Sequence, residues 1–350
     1  MMSLQDWSCS VPKSDTETIT LSHGSGGRLS AKLIEEVFAK HYPSPELTAR
    51  SDSAVLDWSS DYRLAMSTDA FVIQPLEFPG GDIGSLSIYG TVNDLAVSGA
   101  EPIALTIAWI LEEGFPIMQL AQLASSIGQA AKECSVRIVA GDTKVVERGK
   151  GHGCYITTTG IGKVPKGLEL GPDQIRVGDC IVLSGSIGDH GMAIMSQRTE
   201  MVFEPMLQSD CAPLHTMTKE LIDRVSGLRV MRDPTRGGIA ATLNELASSS
   251  RLCFQIDEAS VPIRGQVKSA CELLGLDPWI VANEGKLIAI VSPEGLEATL
   301  KILRSHPLGA QACCIGQVTQ EYRSKVIAMT AYGTQRIVPM PEGELLPRIC

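Results

Sequence analysis

Short aliphatic and β-branched runs alternate with helix-period segments in this chain, and they do so in two consecutive blocks. In the first block, residues 64–67 and 71–73, on either side of Thr68-Asp69, read as short strands, 103–110, 136–140 and 155–161 as further strands, and 83–100 and 116–134 as helices. In the second, strands at 180–184, 254–256 and 287–291 are interleaved with helices at 192–197, 219–225, 237–249, 266–274 and 295–303. Strands near 314–318 and 325–330 complete that block. Strands that are apolar on both faces need cover on both, which is the layered α/β or α+β solution. A hydrophobic content of 44% with only 5% aromatic residues makes the core aliphatic, and 350 residues suffice for two cores. The glycine-bearing segment 160–167 (GIGKVPKG) is the expected join. The expected organisation is a flexible leader at 1–20, a first domain at 21–165, a second at 166–332, and a mobile tail at 333–350.

The formal net charge of −10 argues against a nucleic-acid or anionic-membrane binder, since no Lys/Arg run reverses it locally. No apolar stretch is long enough to span a bilayer, and the first residues lack the apolar region of a secretory signal. The ten cysteines are scattered, with no Cys-x-x-Cys pair. That favours buried thiols in a reducing cytoplasm over a disulfide framework or a zinc site.

The acidic residues carry the first chemical signal. Asp52, Asp69, Asp94, Asp142, Asp189 and Asp233 each have small or turn-forming neighbours and read as strand-end or turn positions. Each suits a helix cap or turn. As a set they also suit a shared Mg²⁺–nucleotide site, because Mg²⁺ takes one or two carboxylates together with substrate phosphates. The segment His23-Gly24-Ser25-Gly26-Gly27-Arg28 lacks the Gly-Lys-Ser/Thr ending of a Walker loop. It serves equally as a flexible lead-in or as an anion contact at a helix start, with Leu29, Leu33, Ile34, Val37 and Phe38 on one face of the helix that follows. Lys144 beside Asp142 reads as a surface pair, and Glu284 before Gly285 as a turn residue.

The last residue is the second signal. Beyond Gly333 the chain reads as Pro-rich and non-periodic, ending in Pro347-Arg348-Ile349-Cys350. About 17 extended residues reach about 55 Å, so a thiol on such an arm suits a carried substrate.

Taken together, HGSGGR (23–28), STDAFVIQPLEFPGGDIG (67–84), TVNDLAVSGAEP (91–102), AGDTKVVERG (140–149), SGSIGDHG (184–191), RDPTRGG (232–238), ANEGKL (282–287) and PRIC (347–350) resemble the HypE family of hydrogenase maturation proteins. That family belongs to the aminoimidazole ribonucleotide synthetase-like superfamily. The resemblance implies a two-domain homodimer joined through its first domains by a barrel-like sheet, with ATP in an adjacent cleft. It also implies a reaction. The carbamoyltransferase HypF loads a carbamoyl group on the terminal cysteine. The thiocarboxamide is then dehydrated to a thiocyanate with ATP, and the cyano group passes to iron on a HypC–HypD complex for a [NiFe] hydrogenase. On that analogy Cys350 is the acceptor, Glu284 the base, and Lys144 the group that orients the amide or stabilises its charge. Asp52, Asp69, Asp94 and Asp142 would hold Mg²⁺, and Asn93, Asp233, Arg236, Gly26 and Gly27 would complete the nucleotide site. Two other readings compete. A small-molecule ligase or kinase of the same superfamily needs no terminal cysteine, and a passive carrier would lack the acidic set.

Overall fold

A computed structural model describes residues 27–33, 35 and 53–341. The first unit is built on a five-stranded sheet of order β1-β2-β7-β5-β6. Its strands are β1 (Ala54–Asp57), β2 (Tyr62–Phe71), β5 (Glu101–Glu112), β6 (Arg137–Val146) and β7 (Cys154–Pro165). A small ribbon, β3 (Glu77–Phe78) with β4 (Gly81–Asp82), leads into the first long helix. After the short α1 (Gly27–Leu33), helices α2 (Ile83–Val97) and α3 (Ile117–Glu133) cover one face of this sheet. Asp82 caps α2 by accepting from the Ser85 amide, while Ser85 Oγ accepts from the Asp82 amide. β7 alternates buried and half-buried residues along nearly its whole length, the pattern of a sheet packed on one side only. The opposite face carries Leu56, Tyr62, Met66 and Ile110 exposed, and every residue of β6 up to Val145 is exposed.

The second unit is a seven-stranded sheet of order β14-β13-β10-β12-β8-β11-β9. It comprises β8 (Cys180–Leu183), β9 (Leu228–Arg232), β10 (Cys253–Asp257), β11 (Ile288–Val291), β12 (Cys313–Thr319), β13 (Val326–Met329) and β14 (Gln335–Val338). Here both faces are covered. Helix α6 (Gly238–Ser250) packs Ile239, Leu243 and Leu246 with Ile181, Phe254, Ile256 and Ile290. Helices α5 (His215–Arg224) and α8 (Leu296–Ser305) pack Met217, Leu221, Ile302 and Leu303 with Val182, Ala289 and Val291. Double cover is why Cys-Ile-Val-Leu in β8 and Ile-Ala-Ile-Val in β11 are apolar without alternation and wholly buried. Helices α4 (Asp189–Arg198) and α7 (Gly265–Leu274) sit between the units. One apolar cluster runs from Phe71, Ile88 and Leu105 of the first unit to Met192, Ile194, Val267 and Val281 of the second. A shared apolar interface of this kind holds two units in one arrangement.

Several expectations change. The short strands expected on either side of Thr68-Asp69 are one strand, β2, which runs from Tyr62 to Phe71. The strand expected to stop at Ala140 continues to Val146, because pairing with β5 carries it through Gly141 and Asp142. Strand β9 had no expectation at all. The stretch after Gly333 is not structureless throughout, since β14 pairs with β13 and both Val338 and Pro341 are buried. The leader at 1–20 lies outside the described residues. No described helix is long and apolar enough to cross a membrane.

Candidate active site

Two of the expected carboxylates meet where α2 crosses the inner face of the first sheet. Ser67 and Asp69, two apart on β2, point to that face, and Thr91 and Asp94, three apart on α2, point back at them. Ser67 Oγ donates to Asp94 Oδ2 at 2.6 Å, and Thr91 Oγ1 donates to Asp69 Oδ2 at 3.2 Å. Ser53 Oγ donates to the Asp94 carbonyl at 3.1 Å. Neither acid is at a strand end or turn: Asp69 is inside a strand and Asp94 inside a helix. Helix and sheet come close through two glycines instead: a Cβ on Gly90 would fall 2.9 Å from the Phe71 ring, and one on Gly160 2.9 Å from Leu95 and Thr91.

The second unit contributes Asp233, directly after β9, and Arg236 in the turn into α6. Glu284 comes from the loop before β11. Asn283 fixes this corner, donating through Nδ2 to the Pro234 carbonyl at 3.0 Å and the Val281 carbonyl at 3.1 Å. Its Oδ1 accepts from the Gly188 amide at 2.7 Å. Glu284 is 4% exposed. Burial raises its carboxyl well above the usual carboxylate range, and the charges of Asp233, Asp210 and Asp69 add to that, while Arg236 opposes it. Asp69 from one unit and Asp233 and Glu284 from the other therefore share one electrostatic neighbourhood.

Asn93, expected on the nucleotide, is the tie between the units. Its Nδ2 donates to the Ala212 carbonyl at 3.0 Å and the Glu284 carbonyl at 3.3 Å, and its Oδ1 accepts from the Leu214 amide at 2.8 Å. Both amide hydrogens are thus engaged with main chain.

Asp142 and Lys144 are not part of this group within one chain. Paired residues share a face, so Asp142 follows Ala108 and Lys144 follows the exposed Ile110, whereas Asp69 follows Thr158 and the buried Ile107. They lie on the outer face, and three strand spacings of about 4.8 Å separate β6 from β2, about 14 Å in all. There Lys144 Nζ donates to Asp142 Oδ2 at 2.7 Å, with 71% and 64% of the two side chains exposed. That bond, then the Thr143 amide, lowers the Asp142 carboxyl below its ordinary value. Asp142 is also within a strand, not at a turn. Gly27 adopts φ +78°, and a Cβ there would lie 2.3 Å from the Pro341 carbonyl oxygen, to which the Arg28 amide donates at 3.1 Å. That glycine makes room for the root of the last segment. Gly26, Asp52 and Cys350 lie outside the described residues.

Sequence reasoning missed Asp210. It lies between α4 and α5 with no motif around it, yet its side chain bonds Glu284, Gly285 and Lys286. Only its contacts across 74 to 76 residues of sequence reveal it.

Among the described residues no group of three or more His, Cys, Asp or Glu side chains is arranged as a metal site. Two neighbouring carboxylates, Asp69 and Asp94, beside a crowded set of acids do fit a divalent cation whose remaining ligands are phosphate and water.

Residues 50–164 match the family of the AIR synthase related protein, N-terminal domain, and residues 176–329 that of its C-terminal domain. The chain is 50% identical over 333 residues to the carbamoyl dehydratase HypE of Rhizobium leguminosarum bv. viciae, covering 95% of both chains. The chain belongs to the HypE family. Among solved structures, a HypE in complex with ATP is 44% identical with a TM-score of 0.79, covering 95% of this chain and 100% of that one. The HypE chain of a HypE–HypF complex is 43% identical with a TM-score of 0.83, covering 88% of this chain and 99% of that one. The two-unit α/β architecture expected from the sequence agrees with these matches.

Proposed function

We propose that this protein is an ATP-dependent carbamoyl dehydratase that converts the S-carboxamide of its own Cys350 to the S-cyanide, supplying the cyanide ligand of a [NiFe] hydrogenase iron. The observation that carries the reading is Glu284: a buried carboxyl, raised by burial and ringed by acids, at the junction of the two units. A carboxyl lifted toward neutrality is matched to taking up and returning a proton.

The substrate is R–S–C(=O)–NH₂. Its oxygen is a poor leaving group until it receives the γ-phosphoryl of ATP. Loss of phosphate and of both N–H protons then leaves R–S–C≡N, with ADP and phosphate as the other products. Glu284 takes a proton from nitrogen as the C≡N bond forms. Asp69 and Asp94 would hold Mg²⁺, with Asp233 and Arg236 bordering the nucleotide. Bound Mg²⁺ supplies charge neutralisation at the phosphates. A relative solved with ATP supports the nucleotide, and one solved with HypF supports that partner as the source of the carbamoyl group. A HypC–HypD complex as cyanide acceptor completes the reading, in a reducing cytoplasm that suits the free cysteines of the described residues.

The position of Pro341 favours Cys350 as acceptor. Pro341 Cγ would lie 3.6 Å from a Cβ on Gly237, so the described chain ends beside the turn that carries Asp233 and Arg236. From there the nine remaining residues span at most about 30 Å. Among the described residues the outer face of the first sheet is uncovered and the outer edge of β6 has no partner strand, which favours a homodimer that would bring Asp142 and Lys144 to the interface. Lys144 then has the charge to orient or stabilise the reacting amide.

The test is Glu284→Gln. It should accept the carbamoyl group and bind ATP, yet accumulate carbamoylated rather than cyanated protein. Dehydration at the wild-type rate would place the base elsewhere.

A further inference from the structure

The loop that carries Glu284 is held by a second carboxylate to which the reaction above gives no role. Asp210 Oδ1 accepts from the Glu284 amide at 3.1 Å, and its Oδ2 accepts from the Gly285 amide at 3.3 Å and from Lys286 Nζ at 3.1 Å. The Asp210 and Lys286 side chains are 3% and 7% exposed, so this ion pair is almost fully removed from water. Burial alone would raise the Asp210 carboxyl. The Lys286 ammonium and then His190 and the Glu284 amide outweigh it, so the group is lowered and stays ionised. A buried charge pair of this kind is weak as a source of stability but strong in fixing geometry.

The main chains touch as closely as the side chains. A Cβ on Gly285 would fall 1.8 Å from the Asp210 carbonyl oxygen, so only glycine lets the two segments meet. The segment that carries Asp210 is in turn fastened to the first unit. The Ser209 amide donates to the Pro79 carbonyl at 2.8 Å, and Asn93 holds the Ala212 and Glu284 carbonyls.

We propose that Asp210, locked by Lys286, is a positioning residue: by binding two successive amides it fixes the peptide between Glu284 and Gly285 and so aims the Glu284 carboxyl at the reacting amide. The inference rests on the reading of Glu284 as the base. One carboxylate bonded to consecutive N–H groups removes the rotation that would swing the Glu284 Cα–Cβ bond. The tie to Pro79 and Asn93 refers that direction to the unit carrying Asp69 and Asp94. A base displaced by about 1 Å loses about a hundredfold in rate.

Four variants of the full-length protein, loaded with carbamoyl phosphate and HypF, separate the possibilities: Asp210→Asn, Asp210→Asn/Lys286→Met, Gly285→Ala and Glu284→Gln. Single-turnover dehydration, ATP affinity and thermal unfolding are measured on each. Asp210→Asn turns an NH₂ group toward the Gly285 amide and the Lys286 ammonium, and should slow dehydration by about 10- to 100-fold with ATP affinity within about twofold. The double variant removes both charges. It should recover thermal stability and remain slow, because the acceptor for Gly285 is still missing. Gly285→Ala should behave like Asp210→Asn, and it supplies the answer if Asp210→Asn does not fold. Recovery of rate together with stability in the double variant would make Asp210 a charge partner for Lys286 and nothing more, overturning the inference. Wild-type rate in a folded Asp210→Asn variant, with Glu284→Gln inactive, would likewise overturn it while leaving the base in place. Wild-type rate in Glu284→Gln would remove the base itself, whatever the other variants show.

Discussion

Replacing Asn93 with alanine separates a structural tie from a nucleotide contact. The side chain makes three hydrogen bonds to main chain, at 3.0, 3.3 and 2.8 Å, and is 1% exposed. Each such bond is worth about 1 kcal/mol net. Removing all three should destabilise the protein by about 3 kcal/mol, and by more if the Leu214 amide is left dry. At about 2–4 °C per kcal/mol for a chain of somewhat smaller size, the midpoint should fall by about 6–12 °C. Thermal unfolding by calorimetry, paired with an ATP titration well below the new midpoint, reads both consequences. The tie predicts a large fall in midpoint with ATP affinity changed by no more than about threefold. Asn93→Asp should be at least as damaging, because it turns an oxygen toward the Ala212 and Glu284 carbonyls. An unchanged midpoint with ATP binding abolished would refute the tie and return Asn93 to the nucleotide site.

The raised Glu284 carboxyl makes a pH prediction of definite sign. Its folded form holds the proton more tightly than the unfolded chain does, so stability is fullest below about pH 4 and is lost as pH rises through the folded pKa. Glu284→Gln should therefore raise the melting midpoint at neutral pH and not near pH 4; a midpoint lowered at neutral pH would contradict this. Trp279, 2% exposed and stacked under the Arg336 guanidinium at 5.1 Å, should cost about 3–5 kcal/mol on replacement by alanine, read by denaturant unfolding. Ile110→Glu on the open face of the first sheet should shift the sedimentation coefficient from dimer toward monomer, and an unchanged coefficient would move the interface elsewhere.

What the sequence revealed depended on whether a residue's partners were local. Strands β8 and β11 were legible because double burial makes each an unbroken apolar run. The far half of β6 was not, since an exposed edge strand has no buried side to impose alternation, and Gly141-Asp142 then reads as a turn. Strand β9 was missed because arginines at 229 and 232 interrupt it, and their partners Asp179 and Glu245 are remote in sequence. The acids Asp69 and Asp94 were singled out in the sequence, yet their setting was misread as strand ends and turns, because helix-to-sheet proximity leaves no mark in the residues on either side. Asp210 was invisible for the same reason, its partner Lys286 lying 76 residues away.

The central claim is that Cys350 is both acceptor and product site, and intact mass of the full-length protein tests it most directly. Wild-type protein treated with HypF, carbamoyl phosphate and Mg–ATP should gain one carbamoyl group and then lose one water, with both changes mapping to Cys350. Cys350→Ala should show neither change and still bind ATP. A cyano group found on any other cysteine, or full activity toward a small-molecule acceptor in the Cys350→Ala protein, would contradict the account.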